Sequence, residues 1–116
     1  MSELNENWKQ LCKWFENEFG MESDPNSILF IVGVQELGKG LQNFNKTQKV
    51  ELMHVAVCSI LLLQGYYQLS HRDEDGWPHF ENIKKLPVLI GNEQDEFIKN
   101  ALIAYFRPII KFQKET

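Results

Sequence analysis

One pair of residues has the types and the spacing of metal ligands in helical proteins. Glu51 and His54 form a Glu-x-x-His arrangement, which on a helix places a carboxylate and an imidazole about one turn apart. Four-helix di-metal proteins present ligands in this way, but they need a second copy, which this sequence lacks. Glu36 shares a helix side with Leu29 and Val32 and is the candidate for a further carboxylate. The metal hypothesis is therefore a divalent ion held by Glu36, Glu51 and His54. The alternative is a buried histidine hydrogen-bonded to a neighbouring group.

A second concentration of polar and aromatic residues lies between Tyr66 and Phe80. Its acidic turn, Asp73-Glu74-Asp75-Gly76, resembles part of an EF-hand loop, but this alignment puts Asn82 where a bidentate glutamate is required. A high-affinity calcium loop is thereby excluded. Amphipathic aromatic side chains beside charges are typical of recognition surfaces, so we predict a binding surface here. The alternative is a structural loop whose Trp77 covers one end of a helical bundle. The predicted surface comprises Tyr66, Tyr67, Arg72, Asp73, Asp75, Trp77, His79 and Phe80.

The sequence gives little support for nucleophilic catalysis. Cys58 follows His54 by four residues, a spacing that can bring a thiol beside an imidazole on a helix. The apolar neighbours of Cys58 predict burial, however, and an apolar site disfavours the thiolate. The glycines of the sequence do not lie between a strand and a helix, as they would in a phosphate-binding loop. We therefore predict no catalytic residue and no cofactor.

Composition and charge describe an ordinary globular chain. It has 116 residues, of which 43% are hydrophobic and 24% charged, and these values predict a single domain over residues 1–116. The formal net charge of −4 argues against a nucleic-acid partner. The uncharged stretch from Leu52 to His71 is interrupted by polar residues and favours a buried helix over a membrane span. With two cysteines inside apolar patterns and no signal-peptide pattern, we expect a cytoplasmic protein.

Hydrophobic spacing and capping residues predict four helices. The first covers about Glu3 to Phe19 and ends at Gly20. The second begins at Asp24-Pro25, and its all-apolar run from Ile28 to Val34 favours a helix over a buried strand because of the cap. The third begins near Asn45 or Thr47 and extends as far as Gln68.

The last part of the chain is predicted as a short helical turn, an extended stretch and a fourth helix. The turn follows Pro78, and the stretch from Leu86 to Gly91 is extended because Leu86 precedes a proline. The fourth helix is capped near Asn92 and ends at Arg107-Pro108. The predicted fold is all-α: a single-domain bundle or compact array of about four helices, with a short additional helical turn after the acidic Trp-Pro loop.

Two helical stretches, 28–34 and 50–63, are apolar on nearly all sides, and a chain of this size has limited means of covering both. The leading hypothesis is therefore an interaction or structural module that forms a homodimer or binds another protein. The alternative is a metal- or small-ligand-binding protein, with His54 as a ligand or general base. A third possibility is a subunit of a larger complex, for which the sequence would show the same apolar stretches as for the first hypothesis.

Overall fold

A computed structural model describes residues 2–113 and shows a mixed α/β fold. Within these residues, four helices and one two-stranded antiparallel sheet account for 56% and 10% of the structure. The prediction of an all-α fold is therefore wrong, although all four main helices are present. The elements are α1 (Glu3–Phe19), α2 (Pro25–Leu37), α3 (Lys46–Leu63), β1 (Tyr67–Arg72), β2 (Pro78–Asn82) and α4 (Asn92–Phe106).

Local capping explains where the first three helices begin. The Ser2 hydroxyl accepts a hydrogen bond from the Asn5 N–H at the start of α1, and the Asp24 carboxylate accepts one from the Ser27 N–H at the start of α2. A capping box joins Asn45 and Gln48 at the start of α3. The run from Ile28 to Val34 is helical, as its capped start predicts.

The β-hairpin corrects two of the sequence-based predictions. Helix α3 ends at Leu63 rather than near Gln68, and Gly65, at φ +88°, turns the chain into β1. The segment after Pro78 is β2 and not a helical turn. The physical reason is the polar turn between the strands, because Asp75-Gly76 suits a hairpin connection and Pro78 is tolerated at the first position of a strand. The strands pair from Tyr67 with Asn82 to Arg72 with Pro78, with a register shift between Leu69 and His71.

The core lies where the four helices meet. Its fully or almost fully buried side chains come from every helix: Leu11, Phe15, Ile28, Val32, Ala56, Ile60, Leu102 and Phe106. A second cluster at the other end of α2 and α3 contains Val34, Leu37, Phe44 and Leu52, and Trp77 from the hairpin turn packs against it. The hairpin is thus attached to the helices through apolar contact.

Helices α2 and α3 approach each other closely at Gly33. A Cβ atom on Gly33 would overlap the carbonyl oxygen of Leu52, because the two would lie closer than Cβ atoms come to non-bonded neighbours in real structures. A side chain at this position would therefore push the backbones of two central helices apart.

Residues 83–91 connect β2 to α4 without regular secondary structure. Helix α4 begins after Gly91, whose φ is +60°. No side chain caps its start, so the predicted cap near Asn92 is wrong. Its first turn contains Glu93 and Asp95, which complement the helix dipole in place of a cap. Between residues 2 and 113, no helix combines the length and the apolar character needed to cross a membrane.

The contact at Gly33 predicts the sign of a stability change. Gly33→Ala should lower the free energy of unfolding by about 1–3 kcal/mol, because the added methyl group overpacks the α2–α3 contact. Urea denaturation followed by circular dichroism measures this change. Without a close contact, the same substitution inside a helix would raise stability by roughly 1 kcal/mol, so an increase would contradict the packing described here.

Candidate functional site

A groove of about 520 Å³ lies between α3 and the hairpin and is here called the α3–hairpin groove. Six residues singled out in the sequence converge on it, although they belonged to two separate hypotheses. Glu51 and His54 come from the predicted metal set, and the other four come from the predicted binding surface. The groove is lined by Val50, Glu51, His54, Val55, Asp73, Trp77, Pro78, His79 and Phe80.

Helix α3 supplies one wall of the groove. Val50, Glu51, His54 and Val55 form a single stripe because residues four apart lie on the same helix face. Glu51 is exposed, and within residues 2–113 its carboxylate makes no hydrogen bond or ion pair. The groove therefore contains an acceptor that is free to bind a donor.

His54 also contacts a cysteine. Its Nε2 atom lies 3.6 Å from the Cys58 Sγ, as the spacing of four residues predicts. Cys58 is only 1% exposed, and burial raises the pKa of its thiol. A raised pKa disfavours the thiolate, so the pair is unsuited to nucleophilic catalysis at neutral pH.

Asp73 organises the hairpin wall. One of its carboxylate oxygens accepts hydrogen bonds from the backbone N–H groups of Asp75 and Trp77, each at 3.0 Å. The other lies 2.9 Å from His79 Nε2. The hydrogen bond from His79, followed by that from the Trp77 N–H, holds the pKa of Asp73 below its ordinary value. This one carboxylate thus fixes both the turn and the orientation of His79 beside the groove.

A second histidine braces His79 from the neighbouring strand. The rings of His71 and His79 are stacked, with centroids 4.7 Å apart and planes within 3° of parallel. His71 Nδ1 in turn lies 3.0 Å from the Ser70 hydroxyl. The imidazole at the groove is therefore held by contacts on both its edge and its face.

Arg72 holds the turn against α2. Its guanidinium donates hydrogen bonds to the Gly76 carbonyl at 2.9 Å and to the Glu36 carbonyl, in the last turn of α2, at 3.2 Å. Helix α2 has no basic residue of its own in that turn, so Arg72 supplies the positive charge that a helix C-terminus favours. Asp75 lies on the far side of Trp77, in a smaller cavity next to Lys39. Neither Arg72 nor Asp75 lines the groove.

The remaining predicted residues have other partners. The Tyr105 hydroxyl donates to the Glu36 carboxylate at 2.7 Å, and burial together with this bond raises the pKa of Tyr105. Tyr66 makes an edge contact with Phe97, with ring centroids 5.7 Å apart. Tyr67 packs against the helical core. Glu36 is therefore not one of the groove residues, and the two tyrosines anchor the hairpin.

The proposed metal ligands do not meet. Across residues 2–113 the structure contains no group of three or more histidine, cysteine, aspartate or glutamate side chains that could hold a metal ion. Glu51 and His54 share the groove, but Glu36 is bonded to Tyr105 instead. The geometry gives the metal hypothesis no third ligand.

The apolar part of the groove was not predictable from residue types. Val50, Val55 and Pro78 complete its lining, but their types carry no chemical signal of their own. These residues could be placed in a groove only by predicting the hairpin. The sequence signal for the hairpin was the Asp75-Gly76 dipeptide in a short turn between two segments of strand-like length.

A second surface feature lies in the connection between β2 and α4, residues 83–91, here called the apolar segment. Within it, Val88 is 85% exposed and Ile90 is 76% exposed, and Ile83 and Leu86 are also exposed. Its other side covers a shallow cavity against Val57, Leu61, Phe97 and Ile98. Contiguous exposed apolar side chains are a common feature of protein interaction sites.

Comparisons of this chain with protein-family models, curated protein sequences and solved structures found no match. The function must therefore be inferred from the groove and the apolar segment themselves.

The lowered pKa of Asp73 predicts how the hairpin responds to acid. Its folded-state pKa is below the unfolded value of about 3.9, so its stabilising effect is complete above that pH and is lost as the pH falls through the folded value. We expect the amide resonances of Asp75 and Trp77 to titrate together in an NMR pH series, with a midpoint below the ordinary aspartate pKa. Asp73→Asn keeps an acceptor but cannot ionise, so it should abolish this titration. A midpoint at or above the ordinary value would contradict the bonding described here.

Proposed function

We propose that this protein is an interaction module that forms a symmetric homodimer through the apolar segment. The observation that carries this proposal is the exposure of Val88 and Ile90, at 85% and 76%, within one short stretch of chain. Burying such side chains is favourable by roughly 25 cal/mol for each Å² of apolar surface removed from water. A second copy of the chain offers the same apolar surface in return.

The backbone of the apolar segment supports pairing as well. Within residues 2–113, none of the backbone N–H groups of residues 84–90 donates a hydrogen bond to the protein. Water satisfies these groups in a monomer, whereas a neighbouring extended segment could satisfy them by strand addition. Pro87 and the two lysines that precede it restrict indiscriminate pairing, because proline and lysine are the usual protection of exposed edges.

The surface area of the chain is larger than that of an average monomer of its mass. It exposes 7736 Å², whereas a folded monomer of 13.6 kDa exposes roughly 6,600 Å² on average. The excess of roughly 1,100 Å² is larger than the 800 Å² or so that each partner contributes to an interface of standard size.

The charges at the ends of the apolar segment favour a two-fold arrangement. Lys84 and Lys85 lie at its beginning, and Glu93 and Glu96 follow its end in the first turns of α4. A two-fold axis through the middle of the segment aligns the two copies in opposite directions. The lysines of each copy then face the glutamates of the other, so the surface is complementary to itself.

Charge reversal tests this arrangement directly. Lys84→Glu with Lys85→Glu should weaken self-association by about tenfold or more, because like charges would then face each other. Glu93→Lys with Glu96→Lys should do the same. An equimolar mixture of the two variants should form a heterodimer, which sedimentation velocity and native mass spectrometry can distinguish from the homodimers. Two variants that each associate as the parent protein does, or a mixture that stays monomeric, would contradict the proposed two-fold pairing.

The apolar contribution can be tested with a matched pair of substitutions. Val88→Asp should abolish the dimer, because it places a charge in the centre of the interface. Leu41→Asp is the control, since Leu41 is 68% exposed and lies in the loop between α2 and α3. It should leave the sedimentation coefficient unchanged. Equal effects of both substitutions, or none from Val88→Asp in a parent dimer, would count against the apolar segment as the interface.

A further inference from the structure

We propose that the α3–hairpin groove binds a small organic cation that carries its charge on an apolar, aromatic or aliphatic body. This site is separate from the apolar segment, and its evidence is independent of the dimer. The proposal depends on the shape of the groove, on the chemistry of its two walls and on the absence of lysine and arginine from its lining.

The size of the groove fits a small molecule. Its volume of about 520 Å³ lies within the range of ligand pockets, roughly 300–1,000 Å³. Its floor is apolar, because Pro78 is buried and Val55 is only 3% exposed. Val50, at the mouth, is 65% exposed, so an apolar ligand body would cover a side chain that is otherwise in water.

The aromatic side chains of the groove suit a cation. Trp77 and Phe80 both line it, and the faces of such rings attract ammonium groups, tryptophan most strongly. Trp77 is held in place by its packing against the second apolar cluster, so its ring is oriented before any ligand arrives. A rigid aromatic wall loses little entropy on binding.

The charges of the groove select the sign of the ligand. Its formally charged lining residues are Glu51 and Asp73, and no lysine or arginine lines it. The Asp73 carboxylate is occupied by His79 and the turn, whereas Glu51 has no partner within the described residues. Glu51 is therefore the acceptor for the cationic group, and a charge-assisted bond of this kind is stronger than a neutral one. An anionic ligand would meet two carboxylates and no positive partner apart from a protonated imidazole.

Three matched probes test the charge and the place of binding together. They are 2-phenylethylamine, which is cationic at neutral pH, its neutral analogue 2-phenylethanol, and the anion 3-phenylpropionate. Each is titrated into ¹⁵N-labelled protein at neutral pH and followed in two-dimensional NMR spectra. We expect the amine alone to shift the resonances of residues 50–55 and 77–80 and the Trp77 indole N–H. A dissociation constant on the order of 1 mM is expected for so small a probe.

Two substitutions separate the groove from general acidity. Glu51→Gln keeps the size of the side chain and removes its charge, and it should weaken binding of the amine by about tenfold. Glu74→Gln changes the net charge equally, but Glu74 is an exposed turn residue outside the groove lining, so binding should be unchanged. Equal weakening by both, equal shifts with all three probes, or no shifts in the groove would each overturn the proposal.

Discussion

The close contact of α2 with α3 at Gly33 is the constraint on which the other parts depend. Gly33 has only a hydrogen atom as its side chain, so the Leu52 carbonyl lies where a Cβ atom would otherwise be. The two central helices therefore contribute residues to both apolar clusters. Helix α3 is then fixed with one face in the core and its stripe from Val50 to Val55 turned to the hairpin. The end of α2 is also fixed, and its last turn receives the Arg72 guanidinium from the hairpin. Core packing of this kind leaves little freedom for the elements attached to it.

The parts of the fold that local chemistry determines were predictable, and the parts that depend on distant contacts were not. The caps at Asp24 and Asn45 identify helix starts because the cap acts within three residues. The hairpin was missed because β1 is mostly exposed and has little hydrophobic alternation, so it owes its position to Tyr67 and to the anchored turn. The types of the polar and aromatic groove residues suggested metal binding or recognition, but the sequence placed these residues in two separate hypotheses. Only the tertiary structure brings Glu51 and His54 to Trp77 and His79.

The hairpin joins the two surfaces on which the functional proposals rest. Phe80 of β2 lines the groove, and β2 continues at Asn82 directly into the apolar segment. The Asn82 side chain donates to the carbonyls of Tyr66 and Lys84, so the start of the apolar segment is tied to the start of the hairpin. The groove contains two carboxylates and no lysine or arginine, whereas the segment is apolar and flanked by opposite charges. This difference in chemistry is the basis of the two proposals, which are a small cationic ligand for the groove and a second copy of the chain for the apolar segment.

The central claim is that two copies of the apolar segment lie against each other. An isotope-filtered nuclear Overhauser experiment on an equimolar mixture of ¹³C-labelled and unlabelled protein tests it most directly, because it detects contacts between copies alone. We expect intermolecular signals between the methyl groups of Val88 or Ile90 and protons of the same segment in the other copy. A mixture in which the protein is monomeric, or in which the intermolecular signals come from other surfaces, would contradict it.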